Sequence, residues 1–222
     1  MGFYADQILP RIINRAMDNE EFVAHREPCL AGVSGVVLEI GFGSGLNLPY
    51  YPAEVRKLYA LDPAPLGRRL AAERIAASPF PVEFVGLYGE AIPLNDASVD
   101  AVVSTWTLCS LSDPLKALGE IRRVLRAGGR FHFVEHGRSP EPRVARWQDR
   151  LTPFHKILGG GCHLNRKIDA LVLEAGFELE RLENVYMKGP KIGTYLYKGV
   201  AVSSGTPAAE RSSSWTDPKL VR

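Results

Sequence analysis

The sequence predicts an α/β protein built on a doubly wound, mostly parallel seven-stranded sheet that ends in an antiparallel hairpin and is preceded by helices. Three observations point there. From Val36 onward the short apolar runs VVLEI, KLYAL, PVEFV, VDAVVST and RFHFVEH alternate with helix-period stretches, as parallel strands joined by helical crossovers do. The first run leads directly into a glycine-rich turn, Gly41-Phe42-Gly43-Ser44-Gly45. Two further strand-like runs, FELERLENVYM and KIGTYLYKGVAV, follow with no helix between them and Gly189-Pro190 near the turn, which favours a hairpin over another crossover.

Each remaining element has its own signal. Between Ala5 and Met17, Ile8, Leu9, Ile12, Ile13 and Met17 share one face opposite Asp6, Arg11, Asn14 and Arg15. This predicts an amphipathic helix packed over the domain or its entrance; a membrane-surface contact is the alternative, with few cations to support it. Leu115, Leu118, Ile121, Val124 and Leu125 give Asp113 to Leu125 a single apolar face, and Gly128-Gly129 are expected to stop that helix. Asn165 is expected to cap a helix running through Glu174, ended by Gly176. The last stretch, SSGTPAAERSSSWTDPKLVR, is rich in Ser, Pro and charge and reads as a mobile tail. The expected layout is a helical cap over residues 1–34, a central domain over 35–202 and a tail over 203–222.

The 222 residues suit one such domain, and 45% hydrophobic with 23% charged residues is the composition of a soluble globular chain. A net charge of +2 is far from the basic stripe that nucleic-acid binding needs, so no nucleic-acid partner is expected. Cys29, Cys109 and Cys162 show no CxxC spacing, which argues against a disulfide framework and against a structural metal site. No apolar run is long enough to span a membrane, and the start lacks a signal-peptide pattern. The expectation is a cytoplasmic monomer or homodimer with at most peripheral membrane contact.

The chemistry concentrates at strand ends. Glu39-Ile40-Gly41-Phe42-Gly43-Ser44-Gly45 follows VVL, and its third glycine arrives one place earlier than in the dinucleotide pattern GxGxxG. ExGxGxG is the pattern of S-adenosylmethionine sites. An acidic Glu39 suits a ligand that carries an ammonium and a sulfonium and no pyrophosphate. Asp62, at the end of LYALDP beside Pro63, can accept hydrogen bonds from both ribose hydroxyls. Gly89 and Glu90, in YGEAIP after the third run, fall where the adenine is expected, with Tyr88 available for stacking. Asn47 and Thr105 complete the expected cofactor contacts.

Across these segments the chain resembles the class I S-adenosylmethionine-dependent methyltransferases, whose fold is the Rossmann-like sheet predicted above. A narrower resemblance rests on VLEIGFGSG, LYALDP, Thr107-Leu108-Cys109-Ser110, VLRAGG, Val134-Glu135-His136, Trp147-Gln148, His155-Lys156-Ile157 and Gly161-Cys162-His163. These are similar to the small-thiol, methyltransferase-like 7 type family and its bacterial relatives. The resemblance covers roughly residues 36–200 and departs at His163, where the animal proteins have a second cysteine. It implies methyl transfer from S-adenosylmethionine, leaving S-adenosylhomocysteine, to a small acceptor such as an apolar thiol.

His136 is the first candidate to assist such a thiol, because it ends the fifth run at the carboxyl edge where sheets of this kind bind ligands, and His163 is the next. Trp106, Cys109, His155 and Cys162 are expected to line the acceptor pocket, with no metal. Two alternatives stay open: N-methylation of phosphatidylethanolamine or another small amine, and a non-catalytic cofactor-binding module.

Overall fold

The computed structural model describes residues 7–86 and 88–203. Its elements in chain order are α1 (Leu9–Met17), α2 (Glu20–Leu30), β1 (Gly35–Ile40), β2 (Val55–Leu61), α3 (Pro65–Leu70), α4 (Ala72–Ala76), β3 (Val82–Gly86), β4 (Val99–Thr105), α5 (Pro114–Val124), β5 (Leu125–His136), α6 (Pro142–Leu158), α7 (Ile168–Glu174), β6 (Phe177–Tyr186), α8 (Lys191–Thr194) and β7 (Tyr195–Ser203). The sheet runs β3-β2-β1-β4-β5-β7-β6. Strands β1 to β5 pair in parallel, and β7 lies antiparallel between β5 and β6. This is the predicted doubly wound sheet with its terminal hairpin. The winding reverses between β1 and β4, and a crevice opens beyond the carboxyl ends of strands at such a reversal.

Alternating side chains feed two cores, one on each face of the sheet. Leu38, Ile40 and Val102 join Leu118, Ile121 and Val124 of α5 and Ile168 and Val172 of α7 on one face. Val37, Ala101 and Val103 pack with Leu30 of α2, Phe42, Leu48 and Ala71 on the other. Strands this thoroughly covered read as continuous apolar runs, which is why the sequence revealed them.

Several element ends differ from expectation. Helix α5 begins at its expected cap, where the Asp113 side chain accepts from the Lys116 amide at 3.0 Å, but it stops at Val124, ahead of the glycines. Gly128 and Gly129 instead sit inside β5, in a bulge where the register against β4 jumps from Val99↔Leu125 to Ala101↔Arg130. Asn165 does not cap α7: its amide bonds Asp149 at 2.9 Å, and the helix starts after Lys167 with no side-chain cap. Gly176 does follow the end of α7, with a φ of 85°. In the hairpin, Lys191–Thr194 forms a single helical turn ahead of β7 instead of extending the strand.

The N-terminal segment forms a helix as its pattern requires, but only Leu9 of α1 is buried. Ile8, Ile12 and Ile13 remain 39%, 53% and 39% exposed, so most of the apolar face is open. Helix α2, by contrast, is integrated into the sheet's flank. Asn19 caps it by accepting from Glu21 and Phe22 amides, and the Cys29 carbonyl at its far end lies 2.9 Å from His132 Nδ1 on β5. Among the described residues no helix is long and apolar enough to cross a membrane. The tail expected over residues 203–222 lies, apart from Ser203, outside the described residues.

Gly199 shows how tightly the hairpin is fitted. It sits in mid-β7 opposite Phe133 and Leu182, and a Cβ there would fall 2.4 Å from Phe133 Cζ and 2.9 Å from the Arg181 carbonyl. Gly199→Ala should therefore overpack the β5-β7 contact and lower stability by about 1–3 kcal/mol. Denaturant unfolding measures it, and an unchanged midpoint would show that Phe133 moves aside at no cost.

Candidate active site

The glycine turn is held against the end of β2. The amides of Gly41 and Phe42 donate to the Leu61 carbonyl, and the Gly43 amide donates to Asp62 Oδ2 at 2.8 Å. Asp62 Oδ1 accepts from the Ala64 amide at 2.7 Å, so this carboxylate ties the turn to the start of α3. Pro63 lies between the two bonded residues. Burial raises the Asp62 pKa, and the two backbone donors oppose that rise. Gly41 and Gly43 both have positive φ, but their surroundings differ. A Cβ on Gly41 would fall 1.9 Å from Thr107 Oγ1, whereas one on Gly43 would meet only the Gly41 carbonyl, at 3.8 Å. Gly41 thus lets the β4 loop close in, and Gly43 keeps a bare backbone face toward the crevice.

Beneath the turn lies a buried polar chain that sequence reading did not anticipate. Asn47 donates to Glu39 Oε1 at 2.8 Å and to Thr105 Oγ1 at 3.1 Å, and its own Oδ1 accepts from Arg26 Nε at 2.7 Å. Tyr51 donates to Glu39 Oε2 at 2.8 Å. Each Glu39 oxygen therefore already has a partner, and burial pushes its carboxyl up to about 8 against the Tyr51 and Asn47 bonds. Glu39, Asn47 and Thr105, all expected as cofactor contacts, form the internal scaffold of the turn. Arg26, only 2% exposed and also 5.4 Å from the Trp106 ring centroid, brings α2 into that scaffold. A single buried arginine on a helix gives no sequence pattern that would reveal this.

A second buried carboxylate organises the loop after β4. Glu135 Oε1 accepts from Ser104 Oγ at 2.7 Å, the Thr107 amide at 3.0 Å and the Leu108 amide at 2.9 Å, and Oε2 accepts from the Cys109 amide at 3.2 Å. Arg166 clamps the same loop by donating to the Leu108 and Leu111 carbonyls. Glu135 was visible in the motif Val134-Glu135-His136, but nothing in sequence linked it to residues some thirty positions earlier.

That loop brings the expected pocket residues together. Trp106 has a φ of 51°, and its buried Nε1 has no hydrogen-bond partner among the described residues. Phe22 packs on its ring at 5.0 Å, and His136 lies edge-on at 6.5 Å. The Cys109 and Cys162 sulfurs are 3.4 Å apart, and the His136 imidazole lies within 4.8 Å of both. The expectation of no metal rested on the absence of CxxC spacing; the fold gathers three ligand-type side chains from β5 and two separate loops.

His155 Nδ1 lies 3.2 Å from the Cys162 carbonyl, and the hydrogen bond of its ring to the Cys162 side chain raises its pKa. The His163 amide donates to the Cys109 carbonyl at 2.9 Å, and its ring Nδ1 is buried without a partner among the described residues. Gly89 is buried, where a Cβ would meet Ile40 Cγ2 at 3.3 Å. Glu90 accepts from Ser112 Oγ at 2.8 Å, closing the crevice between the β3 and β4 loops, and Tyr88 stands 52% exposed at its rim.

The family described as a methyltransferase domain matches residues 38–133. The thiol S-methyltransferase TMT1B of Rattus norvegicus is 38% identical over 160 residues, covering 69% of this chain and 65% of that protein. TMT1A of Homo sapiens is 35% identical over 161 residues, covering 70% and 66%. The chain thus spans just under two thirds of the length of these curated relatives. Among solved structures, a protein from Bacillus halodurans C-125 named a putative methyltransferase superposes with a TM-score of 0.63 at 20% identity, covering 81% and 95% of the two chains. An S-adenosylmethionine-dependent methyltransferase from Aquifex aeolicus gives 0.60 at 22% identity, covering 86% and 97%.

Two consequences can be measured. Asp62→Ala removes the acceptor that fixes Gly43 and faces the expected ribose, so S-adenosylmethionine should bind about 1–3 kcal/mol more weakly by calorimetry; an unchanged dissociation constant would reduce Asp62 to a strand-end residue. Glu39 has a folded pKa raised above its ordinary 4.5, so its contribution to stability is full below 4.5 and lost as pH rises through about 8. Glu39→Gln removes that loss: its amide oxygen still accepts from Asn47, while its amide nitrogen donates to the Tyr51 oxygen in a reversed bond. Its melting temperature relative to wild type should rise between pH 5 and 8, by at most about 1.4 kcal/mol of stability per pH unit. Parallel curves would mean that Glu39 stays ionised inside the fold.

Sheet order, glycine turn, strand-end carboxylate and relatives agree: the chain carries a class I S-adenosylmethionine-dependent methyltransferase domain.

Proposed function

We propose that this protein methylates the sulfur of a small apolar thiol. The observation that carries the reading is the cluster of Cys109, His136 and Cys162 at the carboxyl edge of β4 and β5, with Thr107 of the same loop resting against Gly41 of the turn. Acceptor and cofactor would then meet across one short gap. The similarity to proteins named thiol S-methyltransferases supports the same acceptor class.

The residues present fit the cofactor. Gly43 offers an open backbone face, Asp62 has lone pairs left for ribose hydroxyls, and the unpartnered Trp106 Nε1–H can donate to an anionic or carbonyl group in the crevice. S-adenosylmethionine supplies an electrophilic methyl group on a sulfonium sulfur when bound. The chain's own task is to hold the nucleophile in line with that carbon and to keep water out. The buried cluster of Cys29, Trp106, Val134, Met187 and Leu196, with Phe22 and Met17 against it, gives the crevice an apolar floor. A thiol, whose pKa in cysteine is about 8.5, needs less help to lose its proton than an amine or carbon acceptor, which would need a group dedicated to its proton.

Purified protein with methyl-labelled S-adenosylmethionine should label a small apolar thiol and leave an amino-headgroup lipid and a quinol precursor unlabelled. Preferential labelling of the lipid would replace the thiol by an amine, and cofactor binding with no labelled acceptor would make the domain a non-catalytic binding module.

A further inference from the structure

Cys109 and Cys162 come from loops 53 residues apart in sequence, and the fold goes to some length to bring them together. Glu135 and Arg166 hold the Cys109 loop through its backbone, and the His163 amide bonds the Cys109 carbonyl. On the other side, Gly160 and Gly161 both have positive φ, and a Cβ on Gly161 would fall 2.9 Å from the Ser110 carbonyl. Only glycine allows the segment after α6 to approach so closely. Both cysteines are buried and unbridged, and His136, the last residue of β5, brings its ring to the same point.

We propose that Cys109, His136 and Cys162 bind a single Zn²⁺ and that its fourth position takes the acceptor thiol as a thiolate. This rests on the thiol reading above. Tetrahedral zinc with bonds of about 2.3 Å to sulfur and about 2.0–2.1 Å to nitrogen sets two sulfurs roughly 3.8 Å apart and a sulfur and a nitrogen roughly 3.5 Å apart. The two sulfurs, at 3.4 Å, would part by about 0.4 Å, and the imidazole nitrogen lies within 4.8 Å of both. A two-sulfur, one-nitrogen set is soft enough to select zinc over magnesium or calcium. Three protein ligands are the number in a catalytic site, and His155 is not among the three side chains whose ligand atoms lie within 4.8 Å of one another.

The charge balance suits the reaction. Two cysteine thiolates neutralise Zn²⁺, so an added acceptor thiolate keeps its negative charge opposite the sulfonium. The acceptor R–SH binds zinc and releases its proton to solvent. A lone pair on its sulfur forms the new S–CH₃ bond while the methyl–sulfonium bond breaks, its electron pair staying on the sulfur of S-adenosylhomocysteine. The product thioether is neutral and no longer a thiolate, the form in which sulfur ligates zinc, so it leaves.

The test uses the full-length protein, first by metal analysis after purification with Zn²⁺ and then by titrating the metal-free protein with Co²⁺. We expect a single zinc per chain and, with Co²⁺, thiolate-to-metal charge-transfer absorption together with tetrahedral ligand-field bands. A small thiol should shift those bands. Since losing even a supporting residue costs metal affinity 10–100-fold, Cys109→Ser, Cys162→Ser and His136→Ala should each weaken binding by more than about 100-fold. Calorimetric binding of S-adenosylmethionine checks that each variant is folded, and the wild-type titration stands by itself if one is not. Zinc-free wild type that binds no Co²⁺ overturns the site, even if it methylates thiols. Cobalt bands indifferent to the thiol overturn the open position. Zinc bound and bands shifted with no methyl transferred would leave the site standing and overturn the thiol methyltransferase reading instead.

Discussion

Three successive amides, of Thr107, Leu108 and Cys109, converge on the Glu135 carboxylate, which also takes the Ser104 hydroxyl and has no exposure to solvent. A carboxylate so buried is costly unless it is fully hydrogen-bonded, and here the cost is offset by donors that would otherwise be orphaned at the end of a central strand. Burial pushes the Glu135 pKa up, and the backbone and Ser104 bonds hold it back. The consequence reaches beyond one loop. By fixing where β4 ends, Glu135 sets the position of Trp106, of Thr107 against Gly41 and of Cys109 against Cys162.

The glycine turn is supported by the same logic on its other side. Glu39 is occupied by Asn47 and Tyr51, and Asn47 by Arg26 and Thr105 as well. A turn meant to present bare backbone cannot brace itself with its own side chains, so the bracing comes from below, from α2 and from the short helical turn at Leu48–Tyr50. The N-terminal helices are therefore packed against the β4 loop through Arg26, Phe22 and Met17.

These two buried carboxylates divide the crevice into halves with different chemistry. The β1-β2 half, with Gly43 and Asp62, offers polar backbone and an acceptor; the β4-β5 half offers sulfur, imidazole and an apolar floor. The strained backbone at Trp106, a non-glycine residue with positive φ, falls on the border between the halves, where strain is commonly retained for function.

The strands were legible because a parallel sheet covered on both faces demands continuous apolar runs, and the turn was legible because only glycine tolerates its backbone. Those are local demands, and a linear sequence records them. Helix ends were read less well: Gly128 and Gly129 carry the signature of a helix stop, yet register against β4 drew them into a bulge, and Asn165 found Asp149 instead of a helix amide. The roles of Glu39 and Asn47 as scaffold, of Glu135 as loop anchor and of Arg26 as a brace depend on partners 8 to 58 residues away, which no spacing encodes. The sheet, the glycine turn and the cofactor class could be read from the residues alone, because each needs particular residue types in a row. That Cys109, His136 and Cys162 meet emerges only in three dimensions, because the contact is made by closing loops from three distant parts of the chain around one strand edge.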